Sequence, residues 1–324
     1  MGQRLSGSTG LGLATLSAAT FATSGSFAGS LLQAGWTPGA AVTVRVVTAA
    51  ALLTLPALLA LRGHGARLRR GSGTLTAYGL VAVAGAQLCY FNAVQHLSVA
   101  VALLLEYSGT LLVVGWLWLR QGQRPRALTM VGAVLAVAGL ALVLDLTGDQ
   151  RLDPVGVLWG LGAAVGLAVY FVVSAGTDDA LPPLAVAWGG LTVGGAALLA
   201  GGAVGLLPLA APRTDVTLMG TTTSWLVPVL GLSVVAAVVA YIAGIAGARR
   251  LGPMVASFVG LTEVLFAVAF AWVLLGQMLS AVQLGGGLLV LAGIALVRVD
   301  ELRSPESAAV ATPREDVVAV ASSR

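Results

Sequence analysis

The amino-acid sequence predicts an all-α integral membrane protein with ten transmembrane helices, arranged as two inverted five-helix repeats. Three observations support this fold class. Only 9% of the 324 residues are charged, whereas a soluble domain averages about 25% charged residues. Many apolar runs reach the roughly 18 residues of a membrane span, and none alternates as β-barrel strands do. Two apolar segments in the two halves of the chain are also similar in sequence.

The ten spans are placed by the apolar runs and by the prolines between them. Proline is well tolerated at a helix start, where its missing N–H would have no partner. Five prolines fall at predicted span starts: Pro38, Pro154, Pro182, Pro183 and Pro253. The predicted spans are 10–31, 39–61, 74–94, 97–119, 128–145, 154–175, 182–207, 225–247, 253–275 and 281–298.

The arginines predict the orientation, because cytoplasmic loops are enriched in basic residues. The loop after span 2 reads RGHGARLRR, the loop after span 4 reads RQGQRPR, and Arg249 and Arg250 follow span 8. The opposite loops contain Arg151 and Arg213. Both termini are therefore predicted to be cytoplasmic: residues 1–9 as a short N-terminus and residues 299–324 as a polar, disordered tail.

An internal repeat is visible between the fifth and tenth spans. VGAVLAVAGLALV at 131–143 and GGGLLVLAGIALV at 285–297 are identical at seven of thirteen positions. At the same offset of 154 residues, Leu97 aligns with Leu251 and Val101 with Val255. Residues 10–145 and 154–298 are thus predicted to be two copies of a five-helix unit. Because five is odd, the second copy must insert upside down, an architecture common among secondary transporters.

The composition excludes several other classes of protein. All 17 basic residues are arginine, so no Schiff base to a lysine can form. Cys89 is the only cysteine, and His64 and His96 are too few for a metal or haem site. The sequence contains no P-loop or GxSxG motif that would suggest an enzyme, and it predicts no cofactor. The basic pI near 9.8 reflects loop arginines and does not predict nucleic-acid binding. Small-xxx-small patterns predict close helix packing and specify no oligomeric state.

Three segments resemble a known transporter family. EVLFAVAFAWVLLGQ at 263–277 is similar to the signature of the EamA branch of the drug/metabolite transporter superfamily. LLLEYSGTLLVVGWLWLR at 103–120 and TPGAAVTVRVVTAAALL at 37–53 resemble the corresponding segments of threonine/homoserine-exporter-like members. Thr110 and Val264 stand where the family motif has proline, and Gln277 stands where it has glutamate. The resemblance covers roughly residues 10–298.

The resemblance implies a secondary transporter in the plasma membrane that exports amino acids or similar small metabolites by alternating access. Its expected partners are a small-molecule substrate and the lipid bilayer. Proton coupling is a further expectation. Efflux of cationic drugs and translocation of lipid-linked sugars remain alternatives. A structural membrane protein without transport is an alternative from a different class.

Two glutamates near the middle of predicted spans are the main candidate site residues. Glu106 in span 4 and Glu263 in span 9 each lie about 15 Å deep, where a charged group costs about 2.5–3.5 kcal/mol. The repeat aligns Gly109 with Glu263, so Glu106 lies about one helical turn from the mirrored position. Both carboxylates can face one cavity and bind a substrate amine or a proton. The alternative is a neutral or arginine-paired carboxyl that fixes helix packing.

Four further residues complete the predicted substrate- or proton-binding site. Arg45 in span 2 can bind a substrate carboxylate or pair with a glutamate, or instead extend to the lipid headgroups. Gln87 and Tyr90 share a face of span 3 with Phe91, and Tyr241 in span 8 mirrors Gln87. These polar groups suit a cavity wall or a hydrogen bond between helices. Phe266 and Phe270 share a face with Glu263 and can line an apolar part of the site or simply pack.

Overall fold

The computed structural model describes residues 2–62, 65–97, 99–122, 125–143, 153–176, 181–275 and 280–303. Two π-helical segments, Tyr78–Gly85 and Gly231–Val239, lead into α5 and α12. A hairpin pairs β1 (Val216–Leu218) with β2 (Thr221–Thr223) in antiparallel fashion. The α-helices are α1 (Gly2–Ala22), α2 (Ser24–Gln33), α3 (Pro38–Ala60), α4 (Gly65–Ala77), α5 (Ala86–His96), α6 (Val99–Tyr107), α7 (Gly109–Gln121), α8 (Ala127–Val143), α9 (Pro154–Ser174), α10 (Pro183–Ala203), α11 (Leu226–Leu230), α12 (Ala240–Gly260), α13 (Thr262–Leu275) and α14 (Ala281–Leu302).

The described residues confirm a mostly helical membrane protein. The helix α8 is apolar but shorter than a full span. The number of ten spans stays a prediction, although helices of the structure lie on each of the ten predicted segments. Within the described ranges, seven helical stretches are long and apolar enough to cross a membrane: Pro38–Ala60, Gly71–Ala93, Ala102–Arg120, Pro154–Ser174, Pro183–Ala203, Leu226–Gly260 and Ala281–Asp300.

The stretch Leu226–Gly260 contains a break that separates two of the predicted spans. Gly252 has φ 77° and ψ 163°, a conformation that only glycine adopts easily, and Pro253 follows it. An extended residue before proline is also what proline geometry favours. The break lies in the predicted connection between spans 8 and 9.

Both glutamate-bearing helices are interrupted near their middles without any proline. Ser108 separates α6 from α7, and Leu261 separates α12 from α13. The chain tightens there into i→i+3 bonds, from Leu111 N to Ser108 O (2.9 Å) and from Val264 N to Leu261 O (3.2 Å). A hydroxyl at each interruption, Ser108 or Thr262, donates to the carbonyl three residues earlier. Such back-bonding often bends helices, and the helices are interrupted here although Thr110 and Val264 replace the motif prolines.

The helices α8 and α14 pack through glycines that contact each other reciprocally. A β-carbon on Gly132 would lie 2.8 Å from the carbonyl oxygen of Gly293, and one on Gly139 would lie 2.6 Å from that of Gly286. Gly286 and Gly293 are the residues that the 154-residue offset pairs with Gly132 and Gly139. If the predicted repeat relates the two halves, Gly132 contacts the counterpart of Gly139, and Gly139 contacts the counterpart of Gly132, the pattern of a two-fold interface.

Other contacts between the two halves of the chain are also reciprocal. In one direction α1 packs along α12, and in the other α9 packs along α5 and the π-helical segment before it. Gly10 of α1 lies against Arg250 and Leu251, and Gly156 of α9 lies against His96 and Leu97. α3 and α10 also pack on each other. Each half thus supplies surfaces that bury the other half.

Polar contacts at the start of α9 cap this helix and connect it to α5. Asp153 accepts a hydrogen bond from the backbone N–H of Val155 (2.9 Å) and pairs with Nδ1 of His96 (2.8 Å). The Val155 N–H, and after it the hydrogen bond with His96, hold the pKa of Asp153 below its ordinary value. Asp153 therefore joins the N-terminus of α9 to the C-terminal residue of α5.

Two sequence expectations need correction. The hairpin means that the chain is not purely helical; Met219 and Gly220 both have positive φ, as a tight two-residue turn requires. The predicted tail from 299 is helical as far as Leu302, because the buried Asp300 accepts hydrogen bonds from the backbone and hydroxyl of Thr129 in α8. The predicted N-terminal segment 1–9, for which the sequence specified no secondary structure, is helical from Gly2, where α1 begins. Residues 304–324 lie outside the described residues.

Candidate functional site

A cavity of about 400 Å³ lies inside the bundle. It is bordered by α1, α2, α3, α5, α6, α9, α12 and α13 and by both π-helical segments. All six residues predicted from the sequence line this one cavity: Arg45, Gln87, Tyr90, Glu106, Tyr241 and Glu263. The tertiary structure therefore brings together residues from both halves of the chain.

Arg45 is buried and held in a fixed position at the cavity wall. Its side chain is 5% exposed. One terminal nitrogen donates to Oε1 of Gln87 (3.1 Å), and the other donates to the carbonyl of Ala236 (2.5 Å). Ala236 belongs to the second π-helical segment, and such segments are frequent at functional sites. The guanidinium is also 5.7 Å from the centre of the Phe21 ring. The head group therefore points into the bundle and does not extend along its surface.

The two glutamates have different surroundings. Glu263 lies in the first turn of α13, close to the Tyr107 hydroxyl. A helix N-terminus and a hydroxyl donor both stabilise a carboxylate. Glu106 lies in the last turn of α6, where the helix dipole disfavours negative charge. In the part of the chain that the structure describes, Glu106 has no hydrogen-bond partner.

The charged groups interact across the cavity without forming a direct ion pair. Arg45 is within electrostatic range of both carboxylates, and the two carboxylates also influence each other. Among the described side chains, neither glutamate is in salt-bridge contact with Arg45. The arginine-paired carboxyl that the sequence left open is thus absent from this conformation. One fixed cation and two separated carboxylates instead face the same space.

The uncharged members of the predicted set link the two halves. Gln87 accepts a hydrogen bond from Arg45 and also lies close to the Tyr241 hydroxyl. Tyr241 packs edge-on against Phe21, with ring centres 5.4 Å apart. Tyr90 lines the cavity beside Phe91, with ring centres 5.6 Å apart. Gln87 therefore connects α5 of the first half with α3 and with α12 of the second.

Sequence reasoning missed an aromatic group at one end of the cavity. Tyr170 in α9 packs against Tyr78, Phe21 and Tyr241, with ring centres 6.1, 6.4 and 5.7 Å apart. Tyr107 was missed as well, although it follows Glu106 directly in the sequence. Each of these aromatics lies in an apolar run, where the sequence does not distinguish a cavity wall from ordinary packing.

Two candidates from the sequence do not line the cavity. Phe266 and Phe270 stack on each other with ring centres 6.2 Å apart, and neither is part of the lining. Of the two interpretations that the sequence allowed, ordinary packing therefore accounts for both phenylalanines. Val264 and Ala267 form that part of the wall instead.

The arrangement favours recognition of a small molecule over chemistry on it. A cation, two carboxylates, an amide and several phenols surround an apolar cavity, which is typical of a binding site. The described residues contain no cluster of three or more His, Cys, Asp or Glu side chains that could hold a metal.

Comparison with known proteins places this site in a family context. The chain is 27% identical over 205 residues to an uncharacterized transporter of Archaeoglobus fulgidus, covering 63% of this chain and 69% of the relative. It is 23% identical over 243 residues to the uncharacterized inner membrane transporter YicL of Salmonella typhimurium, covering 74% of this chain and 77% of the relative. A match to the uncharacterized transporter YwfM of Bacillus subtilis is 32% identical over 106 residues, which are 32% of this chain and only 36% of the relative.

A solved structure and a family model give the broader relationship. A crystal structure of a protein at 20% identity superposes with a TM-score of 0.70 and covers 92% of this chain and 99% of its own, which shows a shared fold. The model of the EamA-like transporter family matches residues 8–145 and again residues 154–299. These two matches cover nearly the whole multi-pass chain, and it therefore belongs to the EamA-like transporter family.

Proposed function

We propose that this protein is a secondary transporter that exports amino acids or similar zwitterionic metabolites across the plasma membrane by alternating access. The observation that carries the proposal is the single cavity in which Arg45, Glu106 and Glu263 meet. Intramembrane charges are costly and usually mark a substrate or ion pathway. Here they come from both halves of the chain, so that movement between the halves would change the site.

The proposed mechanism assigns different roles to the charged groups. Arg45, fixed by Gln87 and the Ala236 carbonyl, binds the substrate carboxylate. Glu263, which lies beside the Tyr107 hydroxyl at the start of α13, binds the substrate amine. Glu106, which has no hydrogen-bond partner among the described residues, takes up or releases the coupling proton. The substrate amine and the coupling proton would then bind to different carboxylates of the same cavity.

The inverted repeat provides the proposed route for the movement. The reciprocal contacts of Gly132 with Gly293 and of Gly139 with Gly286 are those expected around a two-fold axis. With ten spans, that axis would lie in the membrane plane and relate residues 10–145 to residues 154–298. Alternating access follows if the two halves exchange conformations around the site. A superposition that requires an axis along the membrane normal would rule out this architecture.

Transport in liposomes tests the proposed function. Purified protein is reconstituted, and uptake of radiolabelled amino acids is measured with and without an imposed pH gradient. We expect saturable uptake of one or more amino acids, stimulated by the gradient and lost in Arg45→Gln. Uptake of labelled tetraphenylphosphonium, with no amino-acid uptake, would instead indicate efflux of organic cations. Failure to transport any of these compounds above protein-free liposomes would contradict the proposal.

A further inference from the structure

Two aromatic side chains in the last turn of α9 line the cavity and pack against α12. Tyr170 lies over Gly244 of α12, so closely that a β-carbon on Gly244 would collide with the tyrosine hydroxyl. A β-carbon on Gly260 would lie 2.8 Å from the ring of Phe171. Large side chains on α9 therefore fill notches that glycines leave on α12. We call this the inner end, because the arginine placement predicts that it faces the cytoplasm.

The repeat identifies the equivalent positions at the other end of the cavity. Gly10 contacts residues 250–251 as Gly156 contacts residues 96–97. This relation aligns α1 with α9 at an offset of 146 residues, and the two family matches begin at the same offset, at residues 8 and 154. Tyr170 and Phe171 then correspond to Ser24 and Gly25. With the 154-residue offset, Gly244 and Gly260 correspond to Tyr90 and Glu106.

The large and small residues have changed places between the two ends. At the outer end, the small Ser24 and Gly25 are on α2, and the large Tyr90 is on α5. All three line the cavity. A β-carbon on Gly25 or on Gly29 would meet no atom within 4 Å. The outer surfaces are thus complementary in size, like the inner ones, but they are not packed together.

The junction between α1 and α2 is built to bend. The helix is interrupted at Thr23, and three successive hydroxyls bond back to earlier carbonyls: Thr20 to Leu16, Thr23 to Thr20 and Ser24 to Phe21, at 2.8, 2.6 and 2.7 Å. Hydroxyls that bond back in this way often bend helices. In the described residues α2 packs on β1, the second π-helical segment, α11 and α3, with Leu31 fully buried, and makes no extensive contact with α5.

We propose that α2 is an outer gate. It turns about Thr23 toward α5, so that the ring of Tyr90 enters the notch at Ser24 and Gly25 in the way that Tyr170 occupies the notch at Gly244. Closing this gate would separate the cavity from the outside while the inner aromatic contact opens. The proposal rests on the alternating access of the proposed function, but the gate can be tested without a substrate.

Distances between spin labels test the gate. The background is Cys89→Ala, which removes the only cysteine. Labels are attached through Gln33→Cys at the exposed end of α2 and Val155→Cys on the exposed start of α9, which packs with α5. Double electron–electron resonance in lipid nanodiscs should give two populations, one with the distance of this structure and one shorter. A single population at the distance of this structure would overturn the proposal.

A wedge variant with a matched control tests which residues meet. Gly25→Phe should fit the open arrangement, because a side chain there meets no neighbour, but it should remove the shorter population by filling the notch. Gly12→Phe lies on α1 and also meets no atom within 4 Å, so it should keep both populations. Tyr90→Ala should lose the shorter population without a wedge. Persistence of the shorter distance in Gly25→Phe, with the protein monodisperse, would refute the gate.

The two proposals can fail separately. Two distance populations that respond to the wedge would support the gate even if no amino acid were transported. Amino-acid transport by a protein with one fixed label distance would support the proposed function and refute the gate.

Discussion

At the scale of single residues, the two intramembrane glutamates are related in position but differ in chemistry. Glu263 begins a helix and contacts a phenol, whereas Glu106 ends a helix without a hydrogen-bond donor among the described residues. Under the predicted repeat, the difference follows from their displacement by about one turn from equivalent positions. Because the interruption lies at the same place in both halves, that single turn puts one carboxylate after it and the other before it.

Neutralising Glu106 should separate coupling from substrate binding. Glu106→Gln keeps the shape of the side chain and removes its charge and titration, so the protein should fold. Uptake driven by a pH gradient should fall at least about tenfold, the effect of about 1.4 kcal/mol, while exchange of substrate across liposomes without a gradient persists. Glu263→Gln should weaken exchange as well, because it removes the proposed amine site.

Two other outcomes for Glu106→Gln would contradict this role. Glu106→Gln protein that is well folded and retains normal, normally pH-dependent transport would remove Glu106 from the mechanism. A loss of protein yield and thermal stability, with the pH dependence unaltered, would instead indicate that Glu106 fixes helix packing.

At the scale of helices, small residues decide how closely α8 and α14 approach. Backbone carbonyls of one helix lie against glycines of the other, at Gly132, Gly139, Gly286 and Gly293. Without a hydrophobic driving force between helices in lipid, such close packing is a main source of stability. The hydrogen bonds of Asp300 to Thr129 hold the same pair together at one end.

A methyl group at one of these glycines should destabilise the pair. In Gly139→Ala the new carbon would lie 2.6 Å from the carbonyl oxygen of Gly286, and overpacking of this kind typically costs about 1–3 kcal/mol. Thermal unfolding in detergent should therefore shift to lower temperature. Gly285→Ala is the control, because its β-carbon would meet no atom within 4 Å and its gain in helix propensity is the same. Equal unfolding temperatures for the two variants would contradict the packing argument.

At the scale of the whole molecule, the topology connects the arginine-rich loops to the two ends of the cavity. Orientation follows from basic residues in short loops, and the repeat then assigns Tyr170 to the inner end and Tyr90 to the outer end. An error in orientation would exchange the names of the ends but leave the cavity and its lining unchanged.

Cysteine labelling in intact cells tests this topology. In the Cys89→Ala background, Arg69→Cys lies in the arginine-rich loop after span 2 and should resist a membrane-impermeant maleimide until the cells are opened. Gln33→Cys lies just after predicted span 1, on the side predicted to face the outside, and should react in intact cells. Both positions are exposed in the structure, so burial does not explain a difference. Rapid labelling of Arg69→Cys from outside would invert the predicted orientation.

The sequence by itself determined the membrane class, the family and the candidate charges. Membrane solvation requires long apolar helices, and these are visible in composition. A charge in such a run is costly enough to stand out, which is why Arg45, Glu106 and Glu263 could be identified without coordinates. Breaks at Pro253 and at the other span starts were visible for a similar reason, since proline restricts the backbone locally.

Only the tertiary structure decided which residues meet. Whether Arg45 pairs with a glutamate or with Gln87 and Ala236 depends on the relative placement of helices far apart in sequence. The same is true of the aromatic end at Tyr170: an aromatic in an apolar run has the same local pattern whether it faces lipid, a helix or a cavity. The hairpin and the helix interruptions at Ser108 and Leu261 were also missed, because they depend on backbone hydrogen bonds and long-range packing that apolar periodicity does not encode.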